Sequence, residues 1–135
     1  MKRLLYISTA RYPMRPSELE ELLAIARKAN AAVGVTGLLV VGGRRFLQVL
    51  EGPEDAVTAT YERIARDPRH FALVKLHDKP IAERSFEAWA MGYEQGGVAA
   101  ASATLEEQVD AIVAPLTDAN LRAYFAGFAK SHSSA

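Results

Sequence analysis

The sequence predicts an α+β protein, a ferredoxin-like βαββαββ sheet with two helices on one face and two C-terminal helices on the other. Three observations favour this fold. Apolar runs alternate with amphipathic helical segments in the order βαββαβ, followed by an extra strand. The helices in the first and second crossovers have similar lengths, as in split βαβ units, so both should lie on one sheet face. Two further amphipathic segments near the C-terminus then need the opposite face to cover their apolar stripes.

The first strand and the first helix begin the predicted fold. Residues 3–8 (RLLYIS) have the apolar character of a strand. The helix begins with a capping box, in which Ser17 is followed three residues later by Glu20, and runs to Asn30. Asn30 lies at the end of the buried stripe, where its ordinary role is a C-terminal cap because asparagine tolerates the left-handed conformation. The apolar stripe consists of Leu19, Leu23 and Ala26.

A β-hairpin with an unusual buried amide comes next. Residues 36–41 (TGLLVV) and 44–52 (RRFLQVLEG) are predicted to pair antiparallel, because GGRR supplies the glycines of a tight turn. Gln48 shares a face with Phe46 and Leu50, since side chains alternate along a strand. A buried carboxamide left without partners costs on the order of 1–3 kcal/mol per group, so something polar should face Gln48.

The second half of the chain is predicted to hold a helix over 54–66, ended by DPRH, then strands over 72–81 and 84–94. Acidic residues in the first turn and arginines in the last suit the helix dipole. The small-residue linker 96–103 leads to helices over 105–116 and 117–130. We therefore expect a domain over 1–95, with 96–135 as a linker and helical cap of the same unit. The apolar stripe of the 54–66 helix is Val57, Tyr61, Ile64 and Ala65.

Composition excludes several functions. The 135 residues suffice for one domain, and 16 basic residues balance 16 acidic ones, so neither nucleic acid nor an anionic membrane is expected as a partner. The absence of cysteine excludes thiolate catalysis. The phosphate-loop, dinucleotide, GxSxG and HExxH motifs are missing and the three histidines are scattered, so no metal site is expected. Without a membrane span or a long enough signal peptide, we expect a cytoplasmic protein.

Polar or redox-capable side chains at positions predicted to be buried form the candidate site. Tyr6 and Trp89 taken singly are ordinary strand or core residues, but Tyr6 can face Gln48 if the first strand lies beside the third, as the ferredoxin-like order requires. Asn30 points into the same space between the two helices. A flat heteroaromatic ligand such as a flavin fits apolar walls with a rim of amides and a phenol.

Five motifs in order then carry a resemblance. The chain resembles the BLUF domains, blue-light sensors that bind FAD, over roughly residues 2–95. Ala29 stands where many members have histidine or asparagine, so we expect flavin binding to survive while its affinity or the photocycle lifetime differs. The motifs are LLYISTA, KANAAVGVTGLLV, RRFLQVLEG, ARDPRH and ERSFEAWAM.

The resemblance implies that FAD, or else FMN or riboflavin, is held noncovalently between the two helices. Gln48 would sit at flavin N5 and O4 and contact Tyr6, and Asn30 would bind the pyrimidine side. Leu22 and Ile64 would flank the ring, and the DPRH residues would line the ribityl and phosphate side. The cofactor-binding residues so implied are Tyr6, Ser8, Leu22, Asn30, Gln48, Ile64, Asp67, Arg69 and His70.

The resemblance also implies a light switch, not an enzyme. Tyr6 would donate an electron and a proton, Gln48 would relay the proton and end rotated or tautomerised, and the flavin absorption would shift to the red. Gln48 would then act on a neighbouring fifth strand, through Trp89 and Met91, and the output would pass through self-association into a homo-oligomer or through a separate protein partner.

Two alternatives from other classes stay open at this point. An acylphosphatase-type hydrolase would use Arg11 in the loop after the first strand, although Pro13 and Pro16 replace the glycines that let backbone amides converge on an anion. A ligand-free interaction module or RNA-binding domain is the other. RNA recognition would want exposed aromatic residues on the central strands and a net positive charge.

Overall fold

A computed structural model of the chain describes residues 1–12, 15–42, 44–86, 93–95, 114 and 118–132. Five strands and three helices occur in this part of the chain, and their order confirms the α+β, ferredoxin-like prediction. The boundaries of the first four strands agree with the predicted ones to within about two residues. The elements are β1 (Lys2–Ala10), α1 (Pro16–Ala32), β2 (Thr36–Gly42), β3 (Arg45–Gly52), α2 (Glu54–Ala65), β4 (His70–Pro80), β5 (Tyr93–Gln95) and α3 (Ala119–His132).

The sheet has the strand order β4-β1-β3-β2-β5. β1 pairs antiparallel with both β3 and β4, and β2 pairs antiparallel with β3 as the hairpin prediction requires. β5 pairs parallel with β2. The central position of β1 and β3 brings the first strand beside the strand that carries Gln48, which confirms the condition on which the candidate site depended.

The ends of α1 differ from the predicted ones. Arg15, not Ser17, is the N-cap, and its backbone N–H donates to the Glu18 carboxylate at 3.2 Å. Pro16 explains the earlier start, because proline fits the first helical position and holds the preceding residue extended. At the other end the helix continues two residues past Asn30, and the left-handed conformation belongs to Gly34 (φ +73°). The prediction of Asn30 as a left-handed cap is therefore wrong.

Both faces of the sheet are covered. On one face, β1 and β3 pack against the buried sides of α1 and α2; on the other, α3 inserts Leu121, Phe125 and Phe128. α3 confirms that a C-terminal helix covers the second face, whereas the helix predicted over 105–116 lies outside the described residues except for position 114. In α2 the prediction of a buried Ala65 is wrong. Ala65 is exposed and Thr60 is buried instead, since Thr60 follows Val57 by about one turn.

A buried polar network fastens the loop after β4 and the start of α3 to the sheet. The guanidinium of Arg3 donates to Glu51 (Nε to Oε2, 2.8 Å) and to Asp118 (Nη1 to Oδ2, 3.0 Å), and its third bond goes to Ser85 Oγ (2.6 Å). The other oxygen of Glu51 accepts the backbone N–H groups of Ser85 and Phe86, at 2.8 and 2.9 Å. Glu51 is fully buried and Arg3 is 4% exposed, so these two interior charges compensate each other.

The fifth strand differs most from the sequence prediction, which extends it over 84–94 beside β3. Within the described residues β5 covers only Tyr93–Gln95, and β2 separates it from β3. Residues 84–86 form a loop, because Glu51 takes the backbone N–H groups that a strand would use in its ladder. Trp89 and Met91, the predicted transmission residues, lie outside the described residues.

Candidate cofactor site

A cleft opens between the sheet and the two helices α1 and α2. It holds about 590 Å³ of empty space when its open mouth is included. The sheet contributes the floor, α1 and α2 contribute apolar walls, and the turn between α2 and β4 forms the mouth. The sequence-predicted residues that line it are Tyr6, Ser8, Leu22, Gln48, Ile64, Asp67, Arg69 and His70.

Four further lining residues were missed by the sequence reasoning. They are apolar, and two signals could have found them: Ala26 follows Leu22 by one helical turn, and Phe46 shares the strand face of Gln48. Leu39 could be placed only once the register of β2 against β3 was known, because it is the direct partner of Gln48. The missed residues are Leu23, Ala26, Leu39 and Phe46.

Tyr6 and Gln48 form the polar floor of the cleft. They are opposite each other in the β1–β3 ladder, and the Tyr6 hydroxyl donates a short hydrogen bond to Gln48 Oε1. Only 2% of Tyr6 and 6% of Gln48 is exposed. Burial, followed by the nearby Tyr61 and Asp67, holds the pKa of Tyr6 far above its ordinary value. Tyr6 is therefore a protonated phenol throughout the ordinary pH range, with its proton directed at the Gln48 amide oxygen.

A second tyrosine and a lysine stand beside this pair. The Tyr61 ring on α2 meets the Tyr6 ring edge-on, with centroids 5.2 Å apart and an interplanar angle of 72°. The Lys75 ammonium group lies 5.1 Å from the centroid of the Tyr61 ring. Lys75 belongs to β4 and is the direct cross-strand neighbour of Tyr6. The phenol of Tyr6 thus has an amide on one strand and a cation-covered aromatic ring on its other side.

His70 and Ser8 form a second polar group in the cleft. His70 Nε2 lies 2.6 Å from the carbonyl oxygen of Ile64, and Nδ1 lies 3.0 Å from Ser8 Oγ. A carbonyl can only accept, so Nε2 carries the hydrogen. In the neutral ring Nδ1 then accepts from the Ser8 hydroxyl. His70 is thus bonded both to a backbone carbonyl and to a side chain inside the cleft.

Asp67 and Arg69 form an ion pair at the mouth. The Arg69 Nε and Nη2 atoms lie 2.9 and 2.5 Å from the two Asp67 oxygens, and the Arg69 backbone N–H adds a bond of 2.9 Å. Hydrogen bonding from Arg69 lowers the pKa of Asp67, and the same carboxylate raises the pKa of Arg69. The Arg69 side chain is 44% exposed, so its remaining N–H groups can reach a ligand phosphate at the mouth.

Among the described residues that were predicted to bind the cofactor, Asn30 is the one that does not line the cleft. It is 1% exposed, and its Oδ1 accepts a bond of 3.3 Å from Arg63 Nη2 on α2. Its backbone carbonyl accepts the N–H groups of Val33 and Val35. Asn30 is therefore a buried residue that links the end of α1 to α2 and to the turn before β2.

The chemistry of this lining suits a flat ring with polar edges. Apolar side chains from two helices face each other across the cleft, while an amide and two hydroxyls form its floor. Among the described residues no group of three or more histidine, cysteine or acidic side chains could hold a metal ion. Comparison with known proteins decides the matter: a sequence model described as "BLUF: Sensors of blue-light using FAD" matches residues 1–92. The chain belongs to the BLUF family.

Relatives and solved structures agree with this membership. Over 89 residues, the chain is 40% identical to the photoactivated adenylate cyclase subunit beta of Euglena longa, and the match covers 65% of this chain and 10% of that protein. Klebsiella pneumoniae BlrP1 with FMN and cyclic diGMP superposes with a TM-score of 0.78 at 29% identity, covering 94% of this chain and 35% of the other. The ground state of BlsA superposes with a TM-score of 0.70 at 25% identity, covering 99% and 91%.

BLUF membership confirms several predictions. The part of the chain that the family model matches, residues 1–92, belongs to a family of blue-light sensors that use FAD, so it is a sensory domain and not an enzyme. The chain spans about a tenth of the length of the curated cyclase relatives it matches. Within the described residues, no helix combines the length and the apolar character needed to cross a membrane.

Proposed function

We propose that this BLUF chain senses blue light through a hydrogen-bond network of Tyr6, Gln48 and a noncovalently bound flavin. One observation carries the proposal: the Tyr6 hydroxyl donates directly to the Gln48 amide oxygen, at the floor of a cleft that both residues line. A phenol is a feasible electron and proton donor, and an amide offers an acceptor at one end and a donor at the other. The pair therefore has the parts of a proton relay.

A bound flavin, when excited by blue light, supplies a strong one-electron oxidant. Tyr6 then loses an electron, and its hydroxyl proton passes along the existing bond to Gln48 Oε1. Gln48 can pass a proton onward from its nitrogen end, because an amide protonated at oxygen is acidic at nitrogen. When the electron returns to Tyr6, a proton returns to the phenol oxygen through Gln48, which is left rotated or as its tautomer. In that state Gln48 would present a stronger donor to the ring edge, which would shift the absorption to longer wavelength.

The remaining side chains hold and orient the flavin in this proposal. Leu22 on α1 and Ile64 on α2 would flank the ring from opposite walls, and the Ser8–His70 pair would fix the polar side of the floor. Arg69 would meet a phosphate at the mouth with the N–H groups that Asp67 does not use. Asn30 would reach the pyrimidine side after exchanging its Arg63 bond. FAD is the proposed cofactor, with FMN and riboflavin as alternatives.

The light-driven change at Gln48 is proposed to be transmitted through the sheet to β5. Gln48, Leu39 and Tyr93 are successive partners across β3, β2 and β5, so a rearranged amide can act on β5 through Leu39. Trp89 and Met91 would transmit the change from the segment before β5. The receiver would be a second copy of the chain or a separate cytoplasmic protein partner. A light-driven change of state is supported by BlsA, which has a solved photo-activated state and of which this chain covers 91%.

The first test is optical. The purified protein should be yellow, with flavin bands that move reversibly to longer wavelength under blue light and return in the dark. A colourless protein that cannot be reconstituted with FAD, FMN or riboflavin would contradict the proposal.

The hydrolase alternative is not favoured. Arg11, its candidate phosphate ligand, lies with its guanidinium 5.3 Å from the centroid of the Phe71 ring. The carbonyl groups of Ala10 and Arg11 accept bonds from the Arg44 side chain, so the start of the loop presents carbonyl oxygens, not converging amides, to a neighbouring cation.

A further inference from the structure

We propose that Lys75 prevents Tyr61 from donating an electron to oxidised Tyr6, and so confines the light reaction to the Tyr6–Gln48 pair. This inference rests on the proposed function above, since it needs a light-driven oxidation of Tyr6. The competing step is defined: an electron would pass from Tyr61 to oxidised Tyr6, and the positively charged Tyr61 ring would then lose its phenol proton to solvent, because the side chain is only partly buried. Tyr6 would take back the proton that it gave to Gln48. Neither Tyr61 nor Lys75 has to touch the flavin for this role.

The two tyrosine rings are close enough for the competing step. Their centroids are 5.2 Å apart in an edge-on contact. Both side chains are phenols, so their intrinsic tendencies to lose an electron are the same. In the absence of other influences, oxidised Tyr6 would therefore take an electron from Tyr61 in a substantial fraction of the molecules. The relay through Gln48 would then fail, because Tyr61 does not line the cleft with Gln48.

Lys75 breaks this equality. Its ammonium group lies 5.1 Å from the Tyr61 centroid, and among the described aromatic rings Tyr61 is the one that it covers. Removing an electron leaves positive charge on the ring, which a nearby cation disfavours. Asp78 approaches Lys75 at 3.6 Å, but the contact is exposed and therefore offsets the charge only in part. Lys75 is held in place by the β4 backbone, directly across from Tyr6.

Tyr6 and Tyr61 also differ in their proton acceptors, and this difference again favours oxidation of Tyr6. Oxidation of a phenol is favourable only when its proton can leave, and Tyr6 has Gln48 Oε1 as a built-in acceptor. Among the hydrogen bonds between described residues, none has the Tyr61 hydroxyl as its donor, so the Tyr61 proton would have to pass to solvent. Burial also raises the pKa of Tyr61 above its ordinary value. The cation beside Tyr61 and the built-in acceptor of Tyr6 thus both favour oxidation of Tyr6.

The test uses the flavin-loaded protein and four variants. We expect Lys75→Met to lower the quantum yield of the red-shifted state by about threefold, while the dark spectrum and the flavin content stay as in the wild type. Lys75→Arg should keep the yield, because it keeps the charge. The double variant Lys75→Met with Tyr61→Phe should restore the yield, because phenylalanine cannot be oxidised in this way. Lys28→Met, the same charge change at an exposed position on α1, is the matched control.

A second readout does not depend on the photochemistry. In dark protein labelled with carbon-13 at the tyrosine ζ carbon, an NMR titration should show a higher pKa for Tyr61 in Lys75→Met than in the wild type or in Lys75→Arg. An unchanged yield in Lys75→Met, a loss that Tyr61→Phe does not restore, or an unchanged Tyr61 pKa would each overturn the inference. A wild type that shows no red shift would overturn the proposed function, and this inference with it.

Discussion

Leu39 lies directly opposite Gln48 in the antiparallel pair of β2 and β3, and it lines the same cleft. On its other side Leu39 is the partner of Tyr93 in the parallel pair of β2 and β5. Within the described residues, β2 is therefore the one strand that stands between the amide and β5. If the proposed function holds, Leu39 gives a change in Gln48 a direct route to that strand.

Truncating Leu39 should separate light detection from its effect on β5. Leu39→Ala is expected to bind flavin and to show the red shift, because the relay residues are untouched. The light-minus-dark difference in hydrogen exchange of the β5 amides should shrink, since alanine shortens the side chain that lies between Gln48 and β5 in the register of the sheet. Val41→Ala, on the same strand face but one row away, serves as control. An undiminished difference in Leu39→Ala would show that the change reaches β5 by another path.

The relay itself is tested by two conservative substitutions. Tyr6→Phe removes the hydroxyl that donates to Gln48, and Gln48→Leu removes the amide that accepts the proton. Both variants should still bind flavin, because the apolar walls are unchanged, but neither should give the normal red-shifted state under blue light. Absorption spectra before and after illumination measure this directly. Tyr12→Phe, at a residue that is 50% exposed, should behave as the wild type. A complete photocycle in Tyr6→Phe or Gln48→Leu would disprove the assigned roles.

Breaking the buried ion pair should destabilise the fold strongly. Arg3→Met leaves Glu51 as an uncompensated charge with no exposure, and we expect a loss of about 3–5 kcal/mol in the free energy of unfolding. Lys2→Met, which removes a surface pair with Asp78, should cost less than about 1 kcal/mol. Urea unfolding followed by circular dichroism gives both values. Similar small losses in the two variants would mean that the Arg3–Glu51 pair contributes little.

Stability at acid pH should depend on Asp118. Its carboxylate accepts the Leu121 backbone N–H and bonds to Lys79 and Arg3, which together lower its pKa from 3.8 to about 2. Because the folded-state pKa is depressed, the stabilisation is present above pH 3.8 and is lost as the pH falls toward 2. Asp118→Asn keeps a capping side chain without the charge.

Unfolding free energies measured between about pH 5 and pH 2 in the two proteins isolate this effect. The difference between wild type and Asp118→Asn should narrow as the pH falls through that window. Asp67 and Glu18, whose pKa values are also lowered, are present in both proteins and cancel in the comparison. A difference that stays constant with pH would show that the Asp118 charge does not stabilise the fold.

Features that depend on the alternation of side chains along a strand and on the order of the strands were predictable from the sequence. The alternation along β3 placed Gln48 on a core face, and the ferredoxin-like order placed Tyr6 beside it, so the central contact of the site followed without coordinates. Contacts set by a single side chain reaching across the fold were not predictable. The bond from Arg63 to Asn30 and the capture of two backbone N–H groups by Glu51 depend on rotamers, and the latter replaced the expected start of the fifth strand with a loop.

The ion pair of Asp67 with Arg69 has a consequence for how the cofactor is chosen. A phosphate that approaches the mouth meets a guanidinium already shared with a carboxylate, so the local charge there is close to neutral. Electrostatic attraction can then contribute little to uptake, and most of the binding free energy must come from enclosing the ring between α1 and α2. The cleft should accordingly have similar affinities for flavins that differ only beyond the ribityl chain. The flavin that occupies it would then be decided by the relative concentrations of these flavins in the cell.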